Sequence, residues 1–318
     1  MNKEIGGYFG LELNQGKPYH EKAIELNTAR NAFEYILRAN IYTKVYLPYY
    51  ACEVMLEPLN KLNISYEFYP IDKVFCPIFS KELKENEAFV YTNYWGINQH
   101  IVKILKNRFG DNLIVDNSQA FYSKPLENTD TFYSARKFFG VADGAYLYCR
   151  NRLKEEFSQD ESCERMSHLL KRIDLSASQG YNDFKTNDDS LSNQPIKRMS
   201  NLTKAILANI DYDRVAEIRR DNFEFLHEQL KDLNELNFDL DNESVPMVYP
   251  FLIKRDGLKQ KLIDDKIFVA TYWPMVREKA PQDSFERYLH DYLIPLPVDQ
   301  RYSISDMATI VGFLINKK

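Results

Sequence analysis

The chain has 318 residues, 44% hydrophobic and 27% charged, with 11 Gly and 13 Pro. That is the composition of a folded globular protein, and it excludes globally disordered, collagen-like and low-complexity classes. A net charge of -5 without a dense Lys/Arg block argues against a nucleic-acid partner, and no apolar run approaches the roughly 20 residues that span a bilayer.

The first fifteen residues, MNKEIGGYFGLELNQ, lack the apolar centre of a secretory signal. Cys52, Cys76, Cys149 and Cys163 form no CxxC pair and stand at no metal-ligand spacing with a histidine. Scattered thiols of this kind point to a reduced, cytoplasmic setting. The 22 Tyr and 20 Phe predict a core rich in rings.

Along the chain, apolar positions at Ala32, Phe33, Ile36 and Leu37 predict a helix over 29–39, with Asn27 and Thr28 as N-cap candidates. KVYLP (44–48) reads as a strand stopped by Pro48, and EVMLEPLNKL as a short helix. Strands follow over 64–72 and 88–96, then a helix over 98–110 ending at Gly110. NLIVD (112–116) and DGAYLYC (143–149) are further strands. Strands alternating with helices predict a mainly parallel α/β layer over residues 1–210, with ligands at the carboxyl ends of the strands. Asp116 and the loop after Thr92 lie at such ends. The polar stretch 176–200 reads as a long loop. Residues 201–233 read as one long helix with Arg214, Glu217, Arg219 and Arg220 toward solvent. Residues 211–318 then form a smaller α+β unit, with strand-like VYPFLIK and KIFVATYW and a last helix, ISDMATIVGFLIN, capped by Ser305.

Two segments carry possible chemistry. One apolar strand ends in Asp116. Farther on, Lys137 stands in a Ser134-x-x-Lys137-x-x-Gly140 setting flanked by aromatics. An amine in an apolar surround and a carboxylate at a strand end suit pyridoxal phosphate. The amine holds the cofactor as a Schiff base, and the carboxylate keeps the pyridine nitrogen protonated. The N-terminus of helix 29–39 offers backbone N–H groups for the phosphate. The same residues also admit a plain structural reading, in which Asp116 ends a strand, Lys137 snorkels between rings and Thr28 caps a helix. The histidines His20, His100, His168, His227 and His290 read as scattered surface or helix residues. Arg136 reads as a salt-bridge partner or a contact for an anionic substrate, Asp143-Gly144 as a tight turn, and Trp95 as core.

Six segments in order then resemble the DegT/DnrJ/EryC1/StrS family of sugar aminotransferases: LNTARNAFEYIL (26–37), VYLPYYACEVMLEPL (45–59), YEFYPID (66–72), IVDNSQAF (114–121), SARKFFGVADGAYL (134–147) and LIPLPVDQRYSISDMATIV (293–311). The resemblance implies a fold type I enzyme: a large, mainly parallel α/β/α domain, a smaller C-terminal α+β subdomain, and a homodimer with shared active sites. It implies pyridoxal 5'-phosphate held by Lys137, which also carries the proton between substrate and cofactor. Asp116 would pair with the ring nitrogen, and Gln119 would lie near the ring oxygen or ring face. Ala29 and Arg30 would bind the phosphate through their N–H groups, assisted by Thr28. Ser134 would supply a phosphate hydroxyl, because the family's serine five residues before the lysine is Phe132 here. Cys52 occupies the place of the stacking aromatic, with Tyr50 or Tyr94 as substitutes, and Ile196 that of an asparagine reaching the partner's phosphate, with Asn193 and Gln194 close by. The implied reaction moves an amino group from glutamate to a nucleotide-linked keto sugar, in polysaccharide biosynthesis. The alternative is a degenerate member that binds a sugar nucleotide or a protein without transamination. Dehydration ranks last, because family members that dehydrate sugars replace the lysine.

Overall fold

A computed structural model describes residues 5–14, 16–238 and 240–316, so the N-terminal stretch read for a leader is described only in part. Seven strands form one sheet: β1 (Ile24–Leu26), β2 (Lys44–Pro48), β3 (Ser65–Tyr69), β4 (Glu87–Thr92), β5 (Leu113–Asn117), β6 (Asp130–Ser134) and β7 (Ala145–Tyr148), in the order β1-β7-β6-β5-β4-β2-β3. Strands β3, β2, β4, β5 and β6 are parallel. β7 is antiparallel to β6, and β1 is antiparallel to β7, so β1 points the same way as the parallel set. The alternation of strands and helices thus foretells a parallel sheet correctly over its centre. It misses the short β1 and the reversal at β7.

Side chains alternate across this sheet. Val45, Leu47, Val90, Ile114 and Phe132 face α1 (Ala29–Ala39) and α2 (Leu56–Lys61), packing on Phe33, Ile36 and Leu59. Tyr46, Phe89, Tyr91, Val115 and Tyr133 face the other way, toward Ile101 and Leu105 of α3 (Gln99–Phe109). Gly110 ends α3 with a φ of +54°, the left-handed conformation in which glycine carries no Cβ penalty.

Between residues 149 and 230 the chain departs from expectation. The first part of the stretch read as a loop is a helix, α5 (Ala177–Ser190), which forms a hairpin with the preceding α4 (Ser167–Asp174); only 191–200 runs without helix. The polarity of α5 has a plain cause: it buries only Gly180 and Asn187. Ser176 caps α5 by accepting the Gln179 N–H, and Gly180 lets the His168 carbonyl approach to 2.9 Å from where a Cβ would stand. The expected long helix is two, α6 (Asn201–Ala208) and α7 (Tyr212–Leu230), parted where Asp211 starts a new N-cap. Arg219, expected at the surface, is 1% exposed inside α7's apolar stripe. His20, expected at the surface or on a helix, is buried and lies in no helix.

Asp143 does more than turn the chain. Fully buried, it accepts the Ser200 N–H at 2.8 Å, the Ser200 hydroxyl at 2.7 Å and the Thr203 hydroxyl, and so fixes the start of α6 against β7. Asp143→Ala strands three buried donors and is expected to cost about 2–4 kcal/mol, to be read from urea unfolding midpoints.

In the last seventy residues, β8 (Val248–Leu252) and β9 (Leu293–Pro297) pair antiparallel. They pack on α7 and on α11 (Ile304–Asn316), burying Phe223, Leu226, Tyr249, Phe251, Leu296, Met307 and Ile310. α8 (Leu258–Asp264), α9 (Pro274–Lys279) and α10 (Phe285–Tyr292) complete this part. KIFVATYW is not a strand. Its rings anchor separately, Trp273 edge-on to Tyr50 at 4.9 Å, and Pro274 starts α9. LIPLP forms the strand instead, tolerating its prolines because a two-stranded ladder has only edges. The cap of α11 is Ser303, bonded by N–H and hydroxyl to Asp306, rather than Ser305. Among the described residues no helix is long and apolar enough to cross a membrane, and no group of His, Cys, Asp and Glu is placed to hold a metal.

Candidate active site

The carboxyl ends of β1, β2, β4, β5 and β6 share one edge of the sheet. Leu26 and Ser134 both lie opposite Ala145, so the residues following them are brought together. After β1 the chain enters α1. Thr28 caps it, its hydroxyl oxygen accepting the Asn31 N–H at 3.1 Å and its carbonyl the Ala32 N–H at 2.9 Å. That leaves the N–H groups of Ala29 and Arg30 at the positive end of the helix. The Arg30 side chain turns aside, 2.7 Å from a Glu57 carboxylate oxygen and 3.2 Å from the Ser192 hydroxyl. Glu57 also accepts the Asn193 N–H at 2.7 Å, and Asn31 donates to the Gln194 carbonyl at 2.9 Å. Asn193 and Gln194 therefore border the start of α1 in their own chain.

Asp116, on the α1 face of β5, is buried and accepts the Ser118 N–H at 2.8 Å. Burial pushes its carboxyl above the usual carboxylate range. Hydrogen bonds from Ser118, the Lys137 charge and the Thr92 hydroxyl pull in the opposite direction. Lys137 ends a single 3-10 turn, Ala135–Lys137, directly after β6. Its charge also bears on the half-buried Cys52, whose thiol is pushed up by burial. Amine, carboxylate and thiol from three separate segments thus lie near enough at one edge of the sheet for the Lys137 charge to act on both others. The apolar surround expected for the amine is absent in the single chain. Lys137 is exposed, while Phe138 and Phe139 turn into the core against Phe121.

Ser134, 8% exposed, shares the Asp116 face by strand alternation. Gln119 faces inward, its side-chain oxygen accepting the Trp95 N–H at 3.2 Å and steadying a residue whose φ is +54°. Trp95 is core, as expected. Tyr50 and Tyr94 are fully enclosed, the Tyr94 hydroxyl donating to the Tyr50 carbonyl, so neither offers a face to the open edge. Phe132 lies 5.7 Å from Phe33 and fills the seam under α1. Arg136 is an ion-pair partner, 2.9 Å from Asp188. A cleft of about 450 Å³ runs along β1, lined by Ile24, Tyr35, Arg152, Phe157, Arg198 and Lys204, and does not include Lys137.

Residues that sequence reading missed lie behind the site. Glu57 joins α2 to the start of α1. Arg219 and Gln300 both donate to the carbonyl of Phe138, at 3.3 and 2.9 Å. A signal for Arg219 exists in the sequence: it recurs with Val215, Ala216, Phe223, Leu226 and Leu230 at helical spacing, on the apolar side of α7.

No family model and no curated protein matches the chain in sequence. Solved structures do match. AtS13 from Actinomadura melliaura is 15% identical at a TM-score of 0.65, covering 94% of this chain and 87% of its own. A DegT DnrJ EryC1 StrS aminotransferase from Brucella abortus is 14% identical at 0.60, covering 92% and 85%. The GDP-4-keto-6-deoxymannose-3-dehydratase ColD, bound to GDP-perosamine, is 14% identical at 0.61, covering 92% and 88%. The chain has the α/β fold of these structures, with its mostly parallel seven-stranded sheet.

Proposed function

We propose that this chain, with the fold of the sugar aminotransferases, is itself a pyridoxal-phosphate-dependent aminotransferase. It moves an amino group from glutamate to the keto carbon of a nucleotide-linked sugar. The observation that carries the reading is the meeting of the Lys137 amine with the buried Asp116 carboxylate, at the strand edge where α1 begins. This donor set fits the cofactor. A carboxylate strained by burial gains from a cationic N–H partner, and a helix start with two open N–H groups suits a phosphate.

In this reading Lys137 would hold the cofactor and move the proton at its Nζ. Asp116 would accept from the ring nitrogen. Ala29 and Arg30 would bind the phosphate by backbone N–H, with the Thr28 and Ser134 hydroxyls. Cys52 and Gln119, the latter bonded to the Trp95 N–H, would border the ring. The cofactor would supply an electron sink for carbanion chemistry. A second copy of the chain covers the exposed Lys137, giving a homodimer. Residues 1–210 and 211–318 serve as the cofactor-binding and smaller domains, a division supported by the two separate sheets and the break before Tyr212.

The test is spectroscopic. Protein with pyridoxal phosphate is expected to develop the visible absorbance of a lysine-bound cofactor, and glutamate alone to bleach it. No such band at saturating cofactor ends the reading. A second reading, a binding module for a sugar nucleotide or protein, is favoured by one observation: Phe132, its ring packed on Phe33, stands where the resembled family has a serine. Nucleotide-sugar binding by calorimetry in protein that takes up no cofactor would establish it.

A further inference from the structure

We propose that Arg219 and Gln300 are positioning residues for Lys137, holding from the carboxy-terminal half of the chain the turn that carries the amine. The proposal rests on the role of Lys137 given above. The turn is a single 3-10 turn without a side-chain cap bond from Ser134. Its start is held by the Ala135 N–H, which donates to the Gly144 carbonyl at 3.1 Å, and by the Arg136–Asp188 pair at 2.9 Å. The end that carries Lys137 is held through the next residue. The Phe138 carbonyl accepts Arg219 Nη2 at 3.3 Å and Gln300 Nε2 at 2.9 Å, and the guanidinium lies 4.6 Å from the centre of the Phe138 ring. Arg219 Nε donates to Gln300 Oε1 at 3.1 Å, which orients both donors.

The same guanidinium reaches a second part of the site. Its Nη1 donates to the carbonyls of Pro246 and Met247, each at 3.2 Å. Met247 N–H donates to the Trp95 carbonyl at 2.8 Å, and Trp95 N–H to Gln119. One buried cation therefore ties the Lys137 turn to the Gln119 loop through main-chain groups. A buried guanidinium is costly to desolvate, and an apolar side chain would fill the same stripe of α7 at no such cost. What the apolar chain cannot do is grip three carbonyls from two segments.

The experiment compares Gln300→Leu and Arg219→Lys with the parent protein by hydrogen exchange of backbone amides, followed by mass spectrometry, and by titration with pyridoxal phosphate. Exchange is expected to rise several-fold at residues 135–139 while the sheet strands keep parent rates. Cofactor affinity is expected to fall about 10-fold in Gln300→Leu and up to about 100-fold in Arg219→Lys, the scale of a misplacement near 1 Å. Should Arg219→Lys fail to fold, Gln300→Leu decides alone. Parent-like exchange at 135–139 overturns the proposal. So does faster exchange spread evenly over the chain, which marks a merely structural role. If the parent protein itself takes no cofactor, the aminotransferase reading falls, whereas the exchange at 135–139 still decides whether these two side chains hold the turn.

Discussion

Lys137→Ala leaves a folded protein that no longer gives pyridoxal phosphate its lysine-bound visible absorbance. The residue is exposed at the end of a short turn. Its truncation removes no buried contact, and stability is expected to stay within about 0.5 kcal/mol of the parent. What disappears is the amine that bonds the cofactor and moves the proton. Positioned acid–base groups contribute about 10²–10⁴-fold, so glutamate-driven bleaching of added cofactor is expected to slow by at least that factor. Absorbance spectra with and without glutamate, beside far-UV circular dichroism, read both halves of the result. A variant that keeps the band places the cofactor on another lysine and removes Lys137 from the mechanism.

Acidification is the second large effect, and it acts through a residue far from the lysine. His20 is 3% exposed, with Nε2 2.8 Å from the Phe121 carbonyl and Nδ1 3.2 Å from the Tyr148 hydroxyl. Its ring lies 4.2 Å from Tyr133 and 5.0 Å from Tyr146, centroid to centroid. Burial pushes its pKa down to about 4, with the Phe121 carbonyl pulling the other way. The unfolded chain, titrating near 6.5, takes up the proton first. The stability that depends on neutral His20 is therefore complete above pH 6.5 and drains away as the pH falls toward 4. The whole loss is about 3 kcal/mol. Urea midpoints at pH 7.5 and 4.5 measure it. His168 is shifted the same way, so the informative quantity is the difference between the parent and His20→Gln, in which the His20 contribution is gone. Equal acid sensitivity in both proteins rules the assignment out.

The helix over 29–39 and the strand at 44–48 stand where their periodicity and punctuation put them. Local signals sufficed there, because the Thr28 cap, the apolar spacing and Pro48 all act over a few residues. The meeting of Asp116 with Lys137 was legible only through the order of strands, which sets which ends share an edge. Arg219 was misread because charge is taken as a mark of solvent, and its carbonyl partners lie 81, 27 and 28 residues away in sequence. The hairpin α4–α5 was misread for the converse reason: a helix that buries almost nothing leaves no apolar stripe to find. The Lys137 surround failed because neighbouring rings in sequence point elsewhere once the chain turns after β6.

The grip on Phe138 has a bearing on how the protein is made. Thr28 through Lys137 leave the ribosome early, and the parallel strands have their partners by then. Gln300 is translated long after Lys137. A nascent chain not yet extended that far would carry the strands and the lysine yet lack one of the two donors to the Phe138 carbonyl. Competence would then arrive only after Gln300 is made, which spares the growing polypeptide a reactive, fully poised amine.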